Sequence, residues 1–104
     1  MILSTTNNIE NRAITEYVGL VFGEVVAGID FVRDISASIT NFIGGRSGSY
    51  EEELVNARAE AMGEMISRAE QLGADAVIGI SVDVEALGSG NMMLVNVSGT
   101  AVKL

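Results

Sequence analysis

The sequence predicts an α+β domain, a two-layer antiparallel sheet with helices on one face, in the order β-α-α-β-β. Three observations carry that expectation. Residues 13–28 are apolar at both odd and even positions, residues 49–72 place apolar side chains at helical spacing, and from Ala76 the period switches to two. The 104 residues form one domain, 1–104, with no internal repeat, linker or low-complexity tract.

The first strand spans Ala13 to Gly28. Ile14, Val18, Leu20, Phe22 and Val26 point one way, while Tyr17, Val21 and Val25 point the other. A strand in a small sheet buries one face and wets the other, so two apolar faces ask for a second cover, which in so short a chain is another subunit. Gly19 and Gly23 share a face and mark either a bulge or a close approach of backbone. A short strand at Ile2 to Thr5 is a further expectation.

After Gly28, Asp30 caps a short helix whose Phe31, Ile35, Ile39 and Phe42 recur at helical spacing. Gly44 and Gly45 close it. The second helix has the fuller set of signals. Ser49 and Glu52 form a capping box, Glu51 to Glu53 set negative charge on the positive end of the dipole, and Gly73 suits the C′ position. Its stripe runs through Leu54, Ala61, Met65, Ala69 and Leu72, widened by Met62 and Ile66. Arg58 falls inside that stripe, where a guanidinium must either snorkel to the edge or meet a carboxylate across an interface.

Ala76, Ile78, Ile80, Val82, Val84 and Ala86 then alternate with a mostly polar set, giving the next strand one core face. Leu87-Gly-Ser-Gly-Asn91 is a tight connection. Met93, Val95, Val97 and Ala101 alternate with Asn96, Ser98 and Thr100 in the final strand, so the hairpin has matching polar outer faces.

Composition removes several function classes. Acidic residues outnumber Lys and Arg 14 to 6, and a net charge of −8 repels a phosphate backbone, so nucleic acid is not an expected partner. With no Cys and no His, no disulfide framework exists, and the usual general bases and thiolate nucleophiles are absent. The opening MILSTTNNIENR has neither a basic n-region nor a long apolar run, so the expectation is a cytoplasmic protein with no membrane association.

Gly44-Gly45-Arg46-Ser47-Gly48, Tyr50-Glu51, Ala57-Arg58, Gly73-Ala74-Asp75-Ala76-Val77 and Val97-Ser98-Gly99-Thr100-Ala101-Val102, with Ser4-Thr5-Thr6 and Arg33-Asp34, resemble the YbjQ-like family. The resemblance runs through essentially the whole chain. It implies a dodecin-like two-layer subunit that assembles into a ring, commonly a homopentamer, and it brings a heavy-metal-binding label. The family supplies no catalytic residues. Ser81 and Val84 depart from its pattern, which carries an acidic and an aromatic residue there.

Copper and zinc favour Cys, Met and His, and only Met is present; its use as a core filler is the simpler reading. Asp83 and Glu85, two apart on one strand face, are the candidates for a hard cation. Arg46, in a Gly-rich loop opening a helix, is a candidate for an anion or small ligand, although no Walker spacing follows it. The simpler reading pairs Arg46 with an acidic neighbour or a neighbouring subunit, and it makes Asp75 a structural turn residue. No cofactor is expected. The residues point to a small oligomeric, non-enzymatic protein that binds a small ligand or ion. A purely structural module and an enzyme using carboxylates are the alternatives.

Overall fold

The computed structural model describes residues 1–28 and 48–104. Its elements are β1 (Ile2–Leu3), β2 (Glu16–Gly28), α1 (Gly48–Gln71), β3 (Ala76–Leu87) and β4 (Met92–Lys103). The helix expected after Asp30, with Arg33, Asp34 and Arg46, lies outside the described residues. So does the side chain of Ser49, one half of the expected capping box.

The strands form one sheet in the order β1-β3-β4-β2. β4 pairs antiparallel with both β2 and β3, but β1 runs parallel to β3, so the sheet is mixed where a purely antiparallel one was expected. The reason is the path of the chain. Ser4 donates to the Val77 carbonyl, and the amides of Gly79 and Ile80 donate to Thr6 and Ser4, which stitches the first segment along β3.

α1 is one long helix, about 36 Å at 1.5 Å per residue. It ends in a Schellman motif: Gly73, at φ 75°, donates to the Glu70 carbonyl and Ala74 donates to that of Ala69. The face that meets the sheet is made of small residues and one thioether, with Ala57, Ala61, Met65 and Ala69 all buried. Leu72, expected on this stripe, is exposed, because the helix has already turned off the sheet. Small side chains let the backbones approach closely. A Cβ on Gly23 would lie 1.8 Å from the Ala61 carbonyl oxygen, so β2 needs glycine there for the helix to sit down.

The core lies between α1 and the sheet, where Val21, Val77, Met93, Val95, Val97 and Ala101 meet the helix stripe. Two bulges interrupt the alternation. The register shifts between Tyr17 and Gly19 in β2, so Val18 joins Val21 and Val25 on the helix side. In β3 it shifts between Ile78 and Ser81 around Gly79, at φ 60°. Ala76 and Ile78 therefore face away from the helix, in a small cluster with Val102, Ile9, Ile14 and Leu104, while Ile80 packs against the main core. One unbroken core face from Ala76 to Ala86 was expected, and the bulge divides it. Ile14, expected inside the first strand, precedes β2 and packs in the same small cluster.

Candidate functional site

The face of the sheet away from α1 brings together most of the residues singled out by chemistry. Register fixes its rows. Leu20 lies beside Thr100 and Ile78, Phe22 beside Ser98 and Ser81, Glu24 beside Asn96 and Asp83, and Val26 beside Leu94 and Glu85. This open face therefore grades from an apolar stripe on β2, through hydroxyls and an amide on β4, to acids on β3. Leu20 is 71% exposed and Val26 59%, and Tyr17 and Phe22 are also exposed.

Asp83 and Glu85 are both exposed on β3, and so are Val82 and Val84, expected on the core face, because the helix does not cover this end of the strand. Glu24 stands across β4 from Asp83, about 10 Å away at the usual strand spacing. Between them the Asn96 Oδ1 is buried and has no hydrogen-bond partner among the described residues. Among the described residues, no group of three or more Asp, Glu, Cys or His comes together in a way that could hold a metal ion. The pair is thus a solvated acidic edge of the sheet.

Arg58 is exposed on α1 and makes no ion pair among the described residues. It sits one residue from buried Ala57, at the rim of the stripe and outside the core. Arg46 lies outside the described residues. Asp75 is structural, as expected, but its partner is distant: its Oδ2 accepts from the Leu104 amide at 2.9 Å, tying the turn after α1 to the end of β4.

Arg68 is the residue that the sequence reading missed. Its Nη1 donates to the Phe22 carbonyl at 2.5 Å, and its Nη2 meets Glu64 Oε1 at 2.6 Å. A guanidinium from the helix layer thereby reaches around the outer margin of β2, an edge strand. The i,i+4 spacing of Glu64 and Arg68 was the available signal.

Chemically, this is a flat surface. No enclosed pocket is present among the described residues, and no nucleophile is paired with a base in the hydrogen bonds described above. No helix of the described residues is long and apolar enough to cross a membrane.

The donor set does not suit a soft metal. Met65 and Met93 are completely buried core residues, and Met62 packs against the same core.

Comparison with known proteins gives a consistent result. The family model YbjQ_1, described as "Putative heavy-metal-binding", matches residues 1–104. A UPF0145 protein of Clostridium kluyveri is 57% identical over 103 residues, covering 98% of this chain and 97% of that one. A UPF0145 protein of Acetivibrio thermocellus is 55% identical with the same coverage, and one from Listeria welshimeri is 55% identical over 98% of this chain and 94% of its own. Among solved structures, a protein of unknown function of the DUF74 family from Pediococcus pentosaceus aligns with a TM-score of 0.71 at 15% identity. That alignment covers 100% of this chain and 97% of the other, a likeness of fold. With a family model matched from end to end and relatives above half identity, this chain belongs to the YbjQ-like family.

Proposed function

We propose that the chain is a non-enzymatic subunit of a cytoplasmic homo-oligomer, in the pentameric ring that its family resemblance implies. Its binding role, for a small ligand or a hard ion, is exercised where subunits meet. The exposed apolar stripe of Tyr17, Leu20, Phe22 and Val26 on β2 carries this reading. Large exposed apolar side chains grouped on one sheet face, here with Glu24 among them, mark an interaction site. Burying the stripe against another copy removes it from water at roughly 25 cal/mol per Å² of apolar surface.

Native mass spectrometry of the tag-free protein tests the proposal. The expected result is a closed oligomer of five chains that retains any small ligand. A monomer at micromolar concentration contradicts it.

A further inference from the structure

We infer that this chain is not a soft-metal protein: its thioethers are structural, and its residues offer no site for copper, zinc or cadmium, against the description its family carries. Soft and borderline ions favour thiolate, imidazole or thioether ligands, and zinc also takes carboxylate oxygens, which do not gather in threes among the described residues. The full sequence contains no Cys and no His, which leaves five Met, at 1, 62, 65, 92 and 93.

Three of the five are committed to packing. Met65 and Met93 face each other's layers across the core with no exposed surface, and Met62 lies against that core from α1. A thioether there fills an irregular gap between alanines and valines, which is the ordinary use of Met.

Met1 and Met92 are the two exposed thioethers, and they stand at opposite ends of the sheet. Met1 precedes the strand that pairs with Ala76, while Met92 pairs with Leu87 at the far end of β3. Eleven residues of strand separate those two pairing positions, roughly 36 Å at about 3.3 Å each. Met92 is also on the open face, since its neighbour Met93 points into the core, so the sheet stands between it and Met62. The two exposed thioethers of one chain therefore do not converge.

A ring alters this in one way. Symmetry would gather copies of Met92, or of Met1, if that residue lay at the axis. The oxygen donors do not replace the missing ligands. Asp83 and Glu85 are exposed and Glu24 is across a strand from them, so they attract cations as a screened, diffuse layer.

The test uses the tag-free protein in its native assembly. It is incubated in separate arms with Zn(II), Cd(II) and anaerobic Cu(I), passed through gel filtration at physiological and at high salt, and analysed for metal per chain. The expected result is metal no higher than the buffer blank at high salt, with Met92→Leu indistinguishable from the parent. Stoichiometric retention of any of the three at high salt overturns the inference. A retention abolished by Met92→Leu overturns it too, and assigns the site to gathered copies of that residue. The oligomer number is read independently, so the outcome does not depend on the assembly proposed above.

Discussion

Gly23, buried where β2 meets α1, and Gly63, exposed on α1, respond oppositely to one added methyl group. At Gly23 the methyl carbon collides with backbone, the Ala61 carbonyl at 1.8 Å, which no rotamer change relieves. Gly23→Ala is expected to destabilise the protein by about 3 kcal/mol or more, at or beyond the upper end of ordinary overpacking. At Gly63, in the middle of α1, the added carbon meets nothing within 4 Å among the described residues. Gly63→Ala is expected to stabilise by about 0.5–1 kcal/mol, the helix-propensity difference. Denaturant unfolding of the two variants side by side checks both signs. Asp75→Ala removes the acceptor for the Leu104 amide and is expected to cost about 1 kcal/mol in the same measurement. Gly23 was legible in the sequence as either a bulge or a close approach, and Asp75 as a turn residue. The partners, Ala61 and Leu104, were not, because no local pattern encodes which distant backbone arrives.

Among the elements, α1 was read almost whole, since its stop signal and its Ala61, Met65 and Ala69 stripe are local features that the Schellman motif and burial reproduce. The strands were read in place but not in facing. Alternation assigns Ile78 and Val82 to one side, yet a single extra residue at Gly79 puts them on opposite sides. Glycine at φ 60° was the only clue. Parallel pairing of β1 was also hidden, because a two-residue strand has no periodicity to detect. The hold of Arg68 on β2 belongs to this scale. Because the pair with Glu64 is exposed, Arg68→Ala is expected to change unfolding free energy by less than about 1 kcal/mol. Its visible effect is on the strand edge: light scattering at elevated temperature is expected to show faster aggregation than the parent.

For the molecule as a whole, the apolar stripe and the charge pull in different directions. Leu20 is exposed in the single chain, so Leu20→Asp is expected to leave the circular dichroism spectrum unchanged while shifting native mass spectra to smaller species. An unchanged oligomer would remove the β2 stripe from the interface. A chain of net charge −8 repels its own copies, and raising salt from millimolar to physiological strength is expected to favour assembly by screening that repulsion. Sedimentation velocity across a salt series reads the direction. The exposed apolar face of β2 was legible in its two-faced pattern. The identity of a site was not, since Asp83, Glu85 and Arg58 prove to be spread over solvated surfaces. Arg46 lies outside the described residues.

The two margins of the sheet are unlike. β3 is covered by the first segment only as far as Ile80, and beyond it Ser81–Leu87 has no outer neighbour among the described strands, whereas β2 has Arg68 fastened at its midpoint. Fibrillar growth is a polymerisation, and a monomer must be bifunctional to take part in it. Arg68 guards one carbonyl of the β2 margin, so a second copy that pairs there must first displace the guanidinium, which raises the barrier to joining at both margins at once.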